Sequence, residues 1–291
     1  MGLTGMEVTA LGFGAAEIGF QKIDEKIVST LLNGALDAGL NVIDTAECYG
    51  SEEVIGKTLS GRRDEYHLFT KCGHSAGIDL PDWDPALLGQ SIDRSLRLLQ
   101  TDHLDLVLLH SCSKDLLKKG EVIEVLRRAK TAGKTRFMGY SGDSVDALYA
   151  VNSGAFDVLE TSLNIADQES ITLTLPITRQ KEMGVIIKRP IANAAWIKGK
   201  SPDYYGHVYW ERLQKLQYDF IKSDPQSAVE KALRFTLGFA GVHTAIVGSI
   251  NPQRWVQNAA YAEKGPLSDE EINVIRSRWT EAAEPEWVGQ E

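Results

Sequence analysis

Four polar residues stand where short apolar runs break off. Asp44 ends NVID, Tyr49 follows in TAECYG, Lys71 ends HLFTK, and His110 ends LDLVLLH. If those runs are neighbouring parallel strands, their side chains meet at one rim of one sheet, because adjacent strands lie only about 4.8 Å apart. Such a set can deliver a proton to a carbonyl. Reducing a carbonyl needs a hydride on carbon and a proton on oxygen, and Tyr49 is the candidate acid. A free phenol has a pKa of about 10, too high for efficient proton exchange near neutrality. A cationic Lys71 is expected to lower it, Asp44 to keep Lys71 charged and oriented, and His110 to hold the carbonyl by a hydrogen bond.

Elements that could position these groups recur along the chain. Strand-like runs lie near 11–16, 41–45, 66–71, 104–110, 135–141, 156–161, 185–190 and 244–248. Most are separated by segments with helical spacing of apolar residues, such as Ile27, Leu31, Leu32 and Ala35, or Leu88, Ile92, Leu96 and Leu99. A capping residue followed by proline marks three helix starts: Asp84-Pro85, Asp224-Pro225 and Asn251-Pro252. Eight strands each followed by a helix predict a closed (β/α)8 TIM barrel, whose active site lies at the C-terminal ends of the strands. At 291 residues the chain reads as one such domain, 1–291. It includes an extended loop over 191–224 and a helical tail over 267–291.

Composition narrows the function classes. With 43% hydrophobic and 24% charged residues the chain is ordinary for a large globular core. A net charge of −9 argues against nucleic acid as the main partner, and the basic KTAGKTR (130–136) reads as a solvated helix end. No apolar run is long enough for a membrane span, and the N-terminus has no signal-peptide pattern, so the cytoplasm is expected. Three cysteines cannot all pair within one chain. Cys48, Cys72 and Cys112 lie near the candidate residues and, with His74 and His110, could be drawn as a metal or redox site. No C-x-x-C spacing supports it, and alternation turns these thiols away from their catalytic neighbours. They read as buried apolar cysteines, and no metal is expected.

At this point the motifs resemble a family. NVIDTAECYGSEEVIGKTL looks like the D-T-A-x-x-Y-G-x-S-E-x-x-L-G signature of the aldo-keto reductases. FTKCG resembles their strand carrying the catalytic lysine, LVLLHS the strand carrying the catalytic histidine, and GKTRFMGYSGDS their G-K-x-R-x-I-G-x-S-N segment. IVGSINPQRWVQNAA is similar to their late cofactor segment. The resemblance implies an NADPH-dependent reductase of aldehydes or ketones on a (β/α)8 barrel, with Asp44, Tyr49, Lys71 and His110 catalytic. It implies NADP(H) contacts from Ser141, Glu160, Lys188, Arg189, Pro190, Ile191, Gly248, Ser249, Arg254, Gln257 and Asn258. Arg254, one turn into a proline-started helix, is suited to a 2′-phosphate. The commoner dinucleotide motif is absent: in GFGAAEIG, Glu17 stands where the third glycine should be.

The chain departs from the family pattern around the nicotinamide. Ser141 is followed by Gly142 rather than Asn, Glu160 stands where many members have Gln, and KRPI (188–191) replaces Y-S-P-L. Glu160 and Lys188 end neighbouring strands, so an ion pair beneath the nicotinamide is expected. The altered pocket keeps a second class open, a weakly active or non-enzymatic barrel whose bound nicotinamide serves a sensor or regulatory subunit. Substrate choice rests on the loops 111–120 and 191–224, where Trp196, Tyr204, Tyr205 and Tyr209 would line an aromatic pocket; sugar, pyridoxal-like and aryl aldehydes all remain open.

Overall fold

A computed structural model describes residues 1–202 and 206–290. Eight parallel strands close into a barrel in sequence order: β1 (Leu11–Gly14), β2 (Val42–Asp44), β3 (His67–Cys72), β4 (Leu104–His110), β5 (Thr135–Ser141), β6 (Val158–Ser162), β7 (Gly184–Lys188) and β8 (Thr244–Val247). β1 completes the ring by pairing Leu11 with Ala245 and Phe13 with Val247. The fold is a (β/α)8 barrel.

The period-two pleat of a strand sorts each run onto two faces. Outward residues such as Ile43, Leu68, Val107, Leu109, Leu159 and Ile187 join the large core shared with the helices. Inward ones, Val42, Phe69, Leu106, Leu108, Val158 and Ile186, form a separate cluster inside the ring, closed from below by Met6. Continuing the inward series by two residues brings Asp44, Lys71, His110, Glu160 and Lys188 into the upper barrel. β2, β3, β4, β6 and β7 are thus apolar low and polar high on the inward face, the reason a polar site survives above a sealed core.

Local signals set several helices. Asp84 and Asn251 cap the helices Pro85–Leu98 and Pro252–Glu263 through their carboxyl and amide oxygens. At 224–225 the expectation shifts: the helix begins at Ser227, although the Asp224 carboxylate still accepts from the amides of Gln226 and Ser227. Ile27, expected on a buried face, is 46% exposed, because Glu25–Asp37 turns Val28, Leu31, Leu32, Ala35 and Leu36 inward. The three cations of 130–136 are each paired, Lys130 with Asp157, Lys134 with Asp93 and Arg136 with Asp105.

The 191–224 connection is not a plain loop: it contains the helices His207–Leu216 and Asp219–Ser223. Trp196 and Tyr209 are buried within the packing, Trp196 donating to the Pro225 carbonyl and Tyr209 to Asp167. Neither lines an open aromatic pocket as expected; Tyr204 and Tyr205 lie outside the described residues. The tail helix Asp269–Ala282 opens with a capping box of Ser268 and Glu271. Beyond it Trp287 packs on Trp279, and the chain returns to the active face, where Gly289 donates to Glu169. Among the described residues no helix is long and apolar enough to cross a membrane.

Candidate active site

Lys71 ends an inward alternation on β3 and is fully buried. Its Nζ donates to Asp44 Oδ1 at 2.6 Å and to the Thr45 carbonyl at 3.0 Å, and lies 3.5 Å from Glu160 Oε1. Burial alone would strip its charge, but Asp44, Glu160 and Tyr49 outweigh that and hold the ammonium above its ordinary range. Two carboxylates around one ammonium cannot both be satisfied. Burial and the charge of Glu160 push Asp44 well above the carboxylate range against the pull of Lys71, and Asp44 Oδ2 and Glu160 Oε2 have no hydrogen-bond partner among the described residues.

Tyr49 is carried by the turn after β2. Its amide bonds to the Ala46 carbonyl, while Thr45 and Ser51 join through their hydroxyls at 2.7 Å. Gly19 makes this turn possible: a Cβ there would stand 2.1 Å from the Tyr49 carbonyl oxygen. The Tyr49 ring lies 5.3 Å from Lys71 Nζ, edge-on to His110 at 5.6 Å and to Phe20 at 5.3 Å. The expected lowering of its pKa is not found. Burial raises the phenol above its ordinary value, and the attraction of Lys71 is offset further by Asp44 and Glu160. His110 is pushed the other way, well below its ordinary value, by burial and by Lys71, so it is neutral.

The expected Glu160–Lys188 ion pair is absent. Register places Glu160 beside Ile186 and Lys188 beside Ser162, one layer higher. Lys188 pairs instead with Asp143 Oδ2 at 2.9 Å, and Glu160 accepts from Ser141 Oγ at 3.1 Å. Asp143 also accepts from the Ser162 amide and from the Thr161 and Ser162 hydroxyls. Burial would raise its carboxyl, but Lys188 and the Ser162 N–H hold it below the usual range. The role of Asp143 was hidden because an Asp two positions past a strand reads as a helix cap. Arg189, in left-handed backbone at φ 56, donates to Ser162 Oγ and the Gln290 carbonyl; Pro190 is buried and Ile191 half-buried.

With Glu160 partnered to Lys71, its replacement has a defined sign. Glu160→Gln should stabilise the protein by about 1 kcal/mol, a rise in Tm of about 2–4 °C, by removing one cause that lifts Asp44. A raised carboxyl costs stability as pH climbs, so the gain should be largest near and above neutrality and fade towards pH 4. Thermal melts across that range check it; a lower Tm at neutral pH means that the Glu160 charge is needed by Lys71.

The remaining residues cluster at the turn after β8. A Cβ on Gly248 would collide with the Glu17 carboxylate, whose own pKa burial raises. Ser249 accepts from the Asn251 amide, Asn258 is buried, and Arg254 and Gln257 are exposed. Arg254 has no ion-pair partner among the described residues. An exposed guanidinium in the first turn of a twelve-residue helix suits a phosphate, so these residues fit the nucleotide implied by the sequence.

Two other residues crowd His110. Glu47 Oε2 lies 3.9 Å from His110 Nδ1, and the His74 ring lies edge-on at 5.3 Å. Burial raises Glu47 to about 7. Of the thiols, Cys72 and Cys112 are buried, whereas Cys48 is half-buried with Sγ 3.7 Å from His110 Nδ1.

Residues 10–280 match the model of the aldo/keto reductase family. L-galactose dehydrogenase of Arabidopsis thaliana is 29% identical, covering 89% of this chain and 86% of its own. D-threo-aldose 1-dehydrogenase of a Pseudomonas species is 28% identical, covering 96% and 94%. Among solved structures, aldo-keto reductase AKR11C1 of Bacillus halodurans in its holo form superposes with TM-score 0.80 at 26% identity, covering 99% and 97%. An aldo-keto reductase of Klebsiella pneumoniae in complex with NADPH gives 0.75 at 26%, covering 96% and 93%.

Proposed function

The chain belongs to the aldo/keto reductase family, and from that membership we propose that it is an NADPH-dependent oxidoreductase reducing aldehydes or ketones to alcohols, with Tyr49 as general acid. The observation that carries this reading is the buried Lys71–Asp44 pair at 2.6 Å, set 5.3 Å from the Tyr49 ring with His110 on its other side. When bound, NADPH supplies hydride to the carbonyl carbon. Tyr49 donates its proton to the carbonyl oxygen, and Lys71, still cationic, stabilises the phenolate left behind. The raised pKa of Tyr49 keeps it in the protonated form that an acid needs. Neutral His110 retains a ring N–H with which to hold the carbonyl oxygen. Ser141 and Glu160, joined by a hydrogen bond, would hold the nicotinamide end, and Arg254 and Asn258 the adenosine end.

Because two relatives are named for L-galactose and for a D-threo-aldose, sugars are the first substrates to try. The test follows NADPH absorbance with aldoses, aryl aldehydes, aliphatic aldehydes and ketones. Turnover with at least one is expected; NADPH binding with no turnover on any of them overturns the enzymatic reading in favour of a sensor or regulatory subunit.

Cofactor choice is separately testable. Arg254→Ala should weaken NADPH by about 10–150-fold, the worth of a charge-assisted contact of about 1.5–3 kcal/mol, and leave NADH nearly unchanged. Fluorescence titration of both cofactors checks it. Equal weakening of the two means that Arg254 does not read the 2′-phosphate.

A further inference from the structure

We propose that Glu47, His74 and His110 form a binding site for one divalent transition-metal ion, zinc foremost, at the mouth of the barrel beside Tyr49. One ligand atom from each of the three lies within 4.8 Å of the other two. Zinc bonds of about 2.0–2.2 Å to imidazole nitrogen and carboxylate oxygen place ligand atoms about 3.4 Å apart in a tetrahedral site. The closure required is at most about 1.4 Å, within reach of small side-chain rotations, since the His74 side chain is 36% exposed.

Two further observations point to a cation. The Glu47 side chain is 0% exposed; its Oε1 accepts from the His74 amide at 2.9 Å, but its Oε2, facing His110, has no hydrogen-bond partner among the described residues. A buried carboxylate oxygen without a partner is costly, and a cation between it and the histidines would supply one. Second, His74 is already oriented as a metal ligand. Its Nδ1 meets Asp82 Oδ2 at 3.0 Å, and Asp82 Oδ1 is held by the Ser75 amide at 2.8 Å. A carboxylate on Nδ1 leaves the lone pair on Nε2, the arrangement that fixes ring and tautomer in metal sites. Three protein ligands leave a fourth position for water.

A consequence rests on the reductase reading. A metal held between Glu47 and His110 Nδ1 draws that ring towards Glu47 and away from the carbonyl, so zinc and carbonyl substrate compete while NADPH still binds.

The test titrates zinc into the cofactor-free full-length protein by calorimetry. One zinc per chain is expected. His74→Ala and Glu47→Gln should each weaken it by about 100-fold, and Asp82→Asn, which acts only through His74, by about 10-fold or more. Melting temperature and NADPH binding show that each variant folds; His74→Ala, at a partly exposed position, decides the matter if Glu47→Gln does not fold. Absence of stoichiometric zinc, or equal affinity in wild type and His74→Ala, overturns the site. With an active substrate, zinc should raise KM without lowering kcat in wild type and not in His74→Ala. Zinc bound through these residues without that change keeps the site and removes His110 from the reductase reading instead.

Discussion

Tyr49→Phe should lower turnover by about 10²-fold or more, the usual scale for losing a general acid, while NADPH binds as before. The phenylalanine keeps the ring that packs between Phe20 and His110, so the turn after β2 is preserved. Only the hydroxyl is lost, and with it the proton destined for the carbonyl oxygen. Steady-state rates on a substrate that the wild type reduces, with fluorescence titration of NADPH, separate chemistry from binding. Near-normal turnover of the variant sinks the assignment of Tyr49.

Lys71→Met should cost more than activity. Asp44 and Glu160 are each 1% exposed and share this one ammonium. Removing it strands two buried carboxylates, a change worth about 3–5 kcal/mol of stability. The pH dependence has a definite sign. Asp44 already titrates above its unfolded value, and without Lys71 it is lifted further. A carboxyl with a raised folded pKa favours the fold below its unfolded pKa, and that advantage is lost as pH rises. The deficit should therefore be small near pH 4 and grow towards neutrality. Urea unfolding of both proteins at several pH values measures it; a deficit independent of pH means that the carboxylates are not what Lys71 holds in place.

Much of this architecture is written locally. V-x-D, F-x-K and L-x-L-x-H each place an apolar residue and a polar one on the same face of a strand, because the pleat repeats every two residues whatever the strand packs against. Eight such runs, separated by helical segments, leave a closed parallel barrel as the way to bury both faces. Asp44, Lys71, His110 and Tyr49 could therefore be picked out, as could the capped helices at Asp84 and Asn251. What alternation cannot supply is height across the ring. Glu160 and Lys188 both point inward from adjacent strands, yet the stagger of β6 against β7 sets Lys188 beside Ser162, and Asp143 reaches it first. Glu160 instead meets Lys71 across the barrel interior. The direction of the Tyr49 pKa was equally out of reach, since it depends on how far burial outweighs one cation. Glu47, His74 and His110 carry no motif spacing at all, and it is the convergence of three strand ends that sets their ligand atoms within 4.8 Å of one another. The sequence by itself determined which side chains enter the barrel; the tertiary structure decided which of them meet, because partner choice depends on inter-strand stagger and on the water that packing excludes.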